Sequence, residues 1–259
     1  SIVCGHSYGA EVINTVTTID DGGNVSNNDY TLTGNDGRWQ IGNNTTGTPT
    51  LTQGVTFDKI NVNSDNLTMV MVANGGSATA PAFTISNSTI SSKGAGIAYW
   101  KNTDSFTKIT NSTLTSAGDA LYFDPSTDAG FTTPMTNTVA IDKSVISGGV
   151  NVHNHTTEGV ANTGVVNFDN SSVLNGYLTT YDNTANKGNA VLNATFTNSQ
   201  FNGNTAVSST RGTSNFALNL TLDSNSVWNV SADSTLTNLK NQNGSVINVN
   251  DHNIVAGTL

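Results

Sequence analysis

Apolar and polar residues alternate along most of this chain, in short runs separated by Asn, Gly and Ser. Examples of such runs are Phe83-Thr84-Ile85, Val166-Asn167-Phe168 and Leu220-Thr221-Leu222. Apolar side chains at every second position predict β-strands with one buried face. Asn, Gly and Ser between the runs favour turns. The pattern therefore predicts an all-β protein built from many short strands.

One motif returns through the chain: an apolar residue, two polar residues, Ser, one further residue and a second apolar residue. A weak copy starts at Phe57, and clearer copies start at Ile85, Ile109, Ile141, Phe168, Phe196 and Leu222, the last with Asn and Ser exchanged. The starts are 28, 24, 32, 27, 28 and 26 residues apart, a spacing typical of repeat architectures. A coil of this length holds two or three short strands and buries its apolar side only by stacking on its neighbours. The predicted fold is a parallel β-helix, or β-solenoid.

The middle of each copy predicts a bend. Asn tolerates the left-handed backbone that a tight corner needs. Coils stacked about 4.8 Å apart bring equivalent side chains within reach of one another, and an amide can donate to one neighbour while accepting from the other. We expect an Asn and Ser ladder at this bend.

The chain reads as one continuous domain. Residues 1–54 lack clear copies of the motif and are interpreted as an N-terminal cap with the first coils. Residues 55–259 are predicted to form the remaining coils. The longest spacing, between Ile109 and Ile141, predicts a loop at 118–134 that protrudes from the stack.

Composition supports this fold and narrows the function. The chain has 38 Asn and 40 Thr but only 9 Lys and Arg, and its formal net charge is −9. An acidic surface repels phosphate backbones and anionic lipids, so nucleic-acid and membrane-surface binding are disfavoured. Cys4 is the only cysteine, which excludes an internal disulfide. No apolar run reaches the length of a membrane helix, and without a signal peptide at its start the chain is interpreted as a processed or excised segment.

The segment "LDSNSVWNVSADSTLTNLKNQNGSVINV" (222–249) combines Val227-Trp228, an S-x-L-x-x-L run over 234–239 and a turn at Gly244. It resembles bacterial autotransporter passenger domains, and among them is most similar to adhesins of the AIDA and antigen 43 kind. The likeness is strongest over the last ~40 residues and compositional over 55–220.

The resemblance implies a right-handed parallel β-helix on the bacterial cell surface. The membrane would be reached only through an outer-membrane translocator barrel that this chain does not include. Implied partners are a second copy of the domain, causing aggregation and biofilm, or matrix proteins and glycans of a host. No cofactor is predicted.

Candidate binding residues fall into three groups, one in the expected loop, one of aromatic and basic residues beside it, and one in a stripe of carboxylates at equivalent repeat positions. They are Asp119, Asp124 and Asp128; Tyr99, Trp100 and Lys101; and Asp142 and Asp169. Exposed aromatic side chains can stack on sugars or anchor a protein partner, although such residues also cover the core where a loop leaves it.

No metal site is predicted, although two alternatives stay open. The three carboxylates of the loop offer the oxygen ligands that calcium takes. His153 and His155 point to the same side of a strand, and Glu158 follows them, which resembles a shallow zinc site. We interpret the carboxylates as part of a solvated acidic loop, and the histidine segment as a solvated strand exit.

Catalysis is not predicted. Gly5-His6-Ser7-Tyr8-Gly9 matches the nucleophile elbow of α/β-hydrolases, but that Ser needs a strand, a turn and a helix around it. A polysaccharide lyase or glycosidase on the same scaffold is the main alternative, with Arg38 and Arg211 far apart in the repeat. A trimeric phage tailspike segment is a further alternative.

Overall fold

The computed structural model describes residues 3–7, 12–13, 24–32, 37–42, 50–51, 54–66, 68–72, 74–100, 104–125 and 132–259. Within these ranges the chain forms strands and contains no helix. The strands are β1 (Val3–Ser7), β2 (Val12–Ile13), β3 (Asn24–Leu32), β4 (Gly37–Gly42), β5 (Val55–Ser64), β6 (Met69–Val72), β7 (Phe83–Ser86), β8 (Thr89–Ser92), β9 (Ile97–Tyr99), β10 (Asp104–Thr110), β11 (Thr113–Phe123), β12 (Met135–Asp142), β13 (Val145–His153), β14 (Ala161–Asp169), β15 (Val173–Tyr181), β16 (Asn189–Phe196), β17 (Gln200–Ala206), β18 (Phe216–Leu222), β19 (Val227–Val230), β20 (Ser234–Asn241), β21 (Val246–Asn248) and β22 (Ile254–Thr258).

Parallel pairing between equivalent strands stacks the coils into a β-solenoid, which confirms the predicted fold class. The apolar residues that open the motif copies are register partners from one coil to the next, in the order Phe57, Ile85, Ile109, Ile141, Phe168, Phe196 and Leu222. The repeat spacing in the sequence is therefore the length of each coil.

Three faces run along the solenoid. The first face consists of residues 55–58 of β5 with β7, β10, β12, β14, β16 and β18. The second face consists of residues 61–64 of β5, β8 and the first residues of β11, β13 and β15, continued by β17 and β19. The third face consists of β6 and β9 with the last residues of β11, β13 and β15. Alternating side chains on these faces point into a common core.

The core is aliphatic and aromatic, and its rings stack along the axis. Phe168 and Phe196 lie parallel with centroids 4.5 Å apart. Phe201 lies across the corner of the same coil, 5.4 Å from Phe196, and Trp228 of the next coil stacks on Phe201 at 5.5 Å. All four side chains are fully buried. Offset aromatic pairs of this kind stabilise a core by about 0.5–1.5 kcal/mol beyond the area they bury.

A buried serine ladder lines the corner between the first and second faces. In each step a backbone N–H donates to the serine hydroxyl of the next coil at 3.0–3.2 Å, through Ser88, Ser112, Ser144, Ser172, Ser199 and Ser226. Left-handed φ angles at Asn87, Asn111, Asn170 and Asn198 confirm the expected role of Asn at this bend. The side-chain amides pair only in part, from Asn111 to Asn87 and from Asn87 to Asp58.

Two coils depart from the predicted alignment of this corner. The ladder uses Ser172 rather than Ser171, and the next core residue is Leu174 rather than Val173. Asn170 and Ser171 both adopt left-handed φ angles of 52° and 66°, so this corner holds one extra residue. In the last motif copy the core residue is likewise Trp228, one position after Val227, the second apolar residue of the motif.

The expected loop at 118–134 begins later than predicted, because β11 continues to Phe123. Register shifts in the pairing of β11 with β13, between Thr115 and Leu121, absorb the additional residues. Leu121 and Phe123 then return to the core and keep the strand in the sheet. The later part of the loop, 126–131, lies outside the described residues.

At the N-terminal end the pairing changes direction. β1 pairs antiparallel with β4, and β2 pairs antiparallel with β3. The other edges of β3 and β4 pair in parallel with β5 and β6. β1 and β2 therefore cover strand edges that would otherwise be open to pairing with another chain.

Candidate functional site

The third face carries a buried polar cluster where β11, β13 and β15 end. The pairings Tyr99–Phe123, Phe123–Val152 and His153–Tyr181 set the register of four successive coils. The inward-facing residues of these coils are Tyr99, Phe123, Val152 and Thr180. The residue that follows each of them faces outward, and these four residues form one column: Trp100, Asp124, His153 and Tyr181. We define the Asp124 cluster as Tyr122, Asp124, His153, His155 and Tyr181.

A carboxylate and two imidazoles form the centre of the cluster. His155 Nδ1 lies 2.5 Å from Asp124 Oδ1, and His153 Nδ1 lies 4.0 Å from Asp124 Oδ2. The side chains of His153, His155 and Asp124 are only 9%, 7% and 10% exposed. The hydroxyl of Tyr122 donates to Asp124 Oδ2 at 2.5 Å, which orients the carboxylate.

His153 lies between aromatic rings. Its ring meets Tyr122 edge-on at 4.6 Å, His155 at 5.3 Å and Tyr181 at 4.5 Å between centroids. Neither ring nitrogen has a hydrogen-bond partner among the described residues. Burial lowers the pKa of His153 to about 4, although Asp124 acts in the opposite direction. The imidazole is therefore neutral at physiological pH, and a lone pair is available on one ring nitrogen.

A second carboxylate lies in the same coil as Asp124. Asp119 accepts a hydrogen bond from Asn151 Nδ2 at 3.1 Å and another from the Tyr177 hydroxyl. Burial first, and then the neighbouring carboxylates, raise the pKa values of Tyr122 and Tyr177 well above the usual range. Both phenols therefore stay protonated and donate to these carboxylates. The third face thus holds two carboxylates, each bonded to a tyrosine.

Trp100 extends this face toward the N-terminal coils. It packs with Tyr122 over Val70 and Ala98, which are buried on the outer side of β6 and β9. Aromatic side chains thus cover the outer surface of the third face in two neighbouring coils.

The structure brings together three of the predicted binding residues, Trp100, Asp119 and Asp124, on or beside the third face. Tyr99 is buried in the core, where its ring stacks on Phe123 at 4.8 Å and its hydroxyl donates to Thr107 Oγ1 at 3.0 Å. Its ring is therefore not accessible to a partner. Lys101 and Asp128 lie outside the described residues.

Asp142 and Asp169 lie elsewhere, as register partners at the ends of β12 and β14 on the first face. Asp142 accepts a bond from Thr110 Oγ1 at 3.3 Å and another from the Asn170 amide. Burial raises the pKa of Asp169, and the charge of Asp142 adds to that effect against a hydrogen bond from Thr197. Both carboxylates line a shallow cleft that also contains Lys108 and Phe106.

The two histidines do meet, but the third group differs from the one considered in the sequence. Glu158 is exposed, and its carboxylate lies 3.9 Å from Lys187 Nζ. Asp124 takes the place beside the imidazoles. Sequence spacing hides this contact, because the partners are 32 residues apart at Thr113 and Val145 but 29 apart at Phe123 and Val152. A register that changes within one strand pair cannot be predicted from a repeat length.

Ser7 is the last residue of β1 and pairs with Gly37 of β4. The described residues include no helix for the hydrolase elbow motif. No family model, curated protein or solved structure matches the chain. Within the described part of the chain, no helix has the length and apolarity needed to cross a membrane.

Proposed function

We propose that this β-solenoid is an adhesive interaction domain of the autotransporter passenger kind, displayed on a bacterial surface, and that it contacts its partner through the third face. The observation that carries the proposal is Tyr181, a residue that is 48% exposed and whose ring is held against the buried His153 at 4.5 Å between centroids. An aromatic ring that is already ordered loses little conformational entropy when a partner covers it.

The groups around Tyr181 favour a glycan-bearing partner. Tyr177 and Trp100 add partly buried aromatic rings to the same face, and Asp119 and Asn151 add a carboxylate and an amide. Sugars present both apolar ring faces and many hydroxyls, so an aromatic platform flanked by hydrogen-bonding groups suits them. A matrix glycoprotein of a host would offer such a ligand.

Self-association is the competing mode of adhesion, and the second half of the solenoid bears the surface for it. Asn175, Asn202, Asn229 and Asn248 form one outer ladder of amides at 2.6–2.8 Å, and Asn193, Asn219 and Asn238 form another. Each amide that donates along these ladders uses one N–H for its neighbour and has a second N–H that a partner can accept. Repetition of such weak bonds along two copies sums to a useful affinity.

A substitution at Tyr181 tests the proposal. The domain is applied to immobilised glycans and matrix proteins, and is displayed on cells in an aggregation assay. We expect Tyr181→Ala to weaken binding about tenfold or more, as loss of an aromatic anchor does, while Tyr181→Phe retains binding because the ring remains. Val255→Ala, at an exposed site in β22, is the matched remote control.

The readouts separate the two modes of adhesion. Loss of glycoprotein capture with intact aggregation assigns the third face to glycans, and loss of aggregation assigns it to self-association. Equal binding by Tyr181→Ala and the unsubstituted domain in every assay would remove the third face from the proposal.

The cleft at Asp142 and Asp169 favours a second candidate, a carbohydrate-active enzyme. Two neighbouring carboxylates, one with a raised pKa, are the groups that a glycosidase uses as acid and nucleophile or base. Release of reducing ends from acidic or neutral polysaccharides, abolished by Asp169→Asn, would establish it. If the folded chain shows no turnover, the enzyme candidate is rejected, and the role of these carboxylates is to accept the hydrogen bonds at the corner.

A further inference from the structure

We propose that Asp124, His153 and His155 bind one divalent transition-metal ion, with Zn²⁺ as the first candidate. This site goes beyond the proposed adhesion and does not depend on it. It rests on the chemistry of the three donors, on their distances, and on buried nitrogen atoms without hydrogen-bond partners.

The donor set is one that zinc uses. Zinc takes imidazole nitrogens at about 2.0–2.1 Å and carboxylate oxygens at about 2.0–2.2 Å, and sites with three protein ligands keep a fourth position open. Imidazole also suits copper and nickel, whereas calcium and magnesium prefer oxygen ligands alone. Two histidines and one aspartate therefore favour a transition metal over the calcium considered for the Asp119, Asp124 and Asp128 loop.

The distances fit one shared ion. One donor atom from each residue lies within 4.8 Å of the others. Donors on a tetrahedral zinc at the bond lengths above are about 3.3 Å apart. Asp124 Oδ1 lies 2.5 Å from His155 Nδ1, below that value, and Asp124 Oδ2 lies 4.0 Å from His153 Nδ1, above it.

The nitrogens facing the site need a partner. His155 Nδ1 is close to Asp124 Oδ1 but does not meet hydrogen-bond geometry with any described group, and both nitrogens of His153 are likewise without hydrogen bonds. Leaving buried polar atoms unpaired is costly. A bound cation satisfies one nitrogen of each ring and the charge of Asp124 together.

Groups outside the three donors already hold them in place. Tyr122 donates to Asp124 Oδ2, and the Asn183 amide contacts His155 Nε2, which leaves Nδ1 as the nitrogen that faces Asp124. Outer partners of this kind orient metal ligands and strengthen binding. Because Asp124 lies one coil before the histidines and Asn183 one coil after His155, the ion would connect consecutive coils.

The test uses the full chain after removal of bound metal by a chelator. Zn²⁺ is titrated by calorimetry, and Co²⁺ is titrated as a spectroscopic probe of coordination. We expect one equivalent to bind, with visible Co²⁺ bands of a low-coordinate nitrogen and oxygen site and with a metal-dependent rise in the melting temperature.

Three variants and one control decide the assignment. His153→Gln, His155→Gln and the isosteric Asp124→Asn should each weaken Zn²⁺ binding at least about 100-fold and abolish the metal-dependent rise in melting temperature. His252→Gln is the matched control, since His252 is partly exposed and lies 3.8 Å from Asp233 in the C-terminal part of the solenoid. It should bind Zn²⁺ as the unsubstituted chain does.

Circular dichroism of the metal-free variants separates loss of the site from loss of the fold, and Asp124→Asn changes no side-chain volume. The proposal is overturned if the unsubstituted chain binds less than one equivalent, or if folded variants retain the affinity, or if His252→Gln loses as much as the cluster variants. Tyr181→Ala keeps all three donors, so the adhesion proposal and the metal proposal fail separately.

Discussion

Six successive corners between the first and second faces, from Ser88 to Ser226, are each built around one buried serine. At Ser172 the hydroxyl accepts from the backbone N–H of Ser144 at 3.1 Å and donates to the Asp169 carbonyl at 2.7 Å, while its own N–H donates to Ser199 Oγ at 3.2 Å. One small side chain thus satisfies backbone groups of adjacent coils that no strand pairing reaches.

Adjacent serines in one corner give a matched pair of substitutions. Ser172→Ala leaves buried groups without partners, and we expect it to lower the free energy of unfolding by about 1–3 kcal/mol. Ser171→Ala, at an exposed position, should change it by less than about 0.5 kcal/mol. Urea unfolding followed by circular dichroism measures both. Equal effects of the two substitutions would mean that the ladder adds no stability.

At the scale of a single strand, β15 shows how closely neighbouring coils approach. Gly148, Gly176 and Gly203 are register partners at the bend between the second and third faces. A Cβ atom on Gly176 would lie 1.9 Å from the Gly148 carbonyl oxygen, and that oxygen belongs to a paired strand that cannot move aside. The bend that leads each strand toward the Asp124 cluster therefore requires glycine.

We expect Gly176→Ala to destabilise the solenoid by about 3 kcal/mol or more, because the clash is with backbone. Gly118→Ala is the control, since an added Cβ there meets no atom within 4 Å. Thermal unfolding of the two variants measures the difference. A melting temperature of Gly176→Ala equal to that of the control would show that the coils can separate at this bend without cost.

The strands also show which features of the fold can be predicted from the sequence. Apolar periodicity and the motif spacing identified the parallel coils and the register of the first face, because a side chain buried in every coil must recur once per coil. Val173 and Val227 are the second apolar residues of their motif copies, yet Leu174 and Trp228 fill the core there, because a corner can gain a residue without any change in the alternation around it.

The Asp124 cluster was harder to predict. Asp119 and Asp124 look like residues of a solvated loop, and only the register shifts in β11 place them in and directly after a strand, beside His153. The neighbouring aromatic pair divides between the two sides of the sheet, with Tyr99 in the core and Trp100 outside. The sequence pattern indicates which residues are candidates for binding. Which of them meet depends on how coils of unequal length align, and the pattern does not contain that alignment.

For the molecule as a whole, ion pairs between coils make stability depend on pH. Arg211 holds Asp182, 29 residues earlier, through two bonds of 2.6 and 2.7 Å. The Arg211 bonds, together with one from Asn154, lower the pKa of Asp182 below its ordinary value. A carboxylate with a depressed native pKa adds stability above its ordinary pKa of about 4 and loses that contribution as the pH falls through the range below.

We therefore expect the urea midpoint of the unsubstituted chain to fall between pH 5 and pH 3, and the fall to be shallower for Arg211→Gln. At pH 7 the same substitution should lower the midpoint, because Asp182 then lacks its partner. The measurement is a set of urea titrations at pH 3, 4, 5 and 7. Parallel curves for the two proteins would show that this pair has no part in the acid response.

The extra residue at Asn170 and Ser171 leaves the strands on either side aligned with their neighbours. Coil length and core alignment are thus set by different parts of the chain. Foreign peptides inserted at such corners should be presented on the outside of an unchanged rod, which makes these bends natural positions for grafting epitopes or tags.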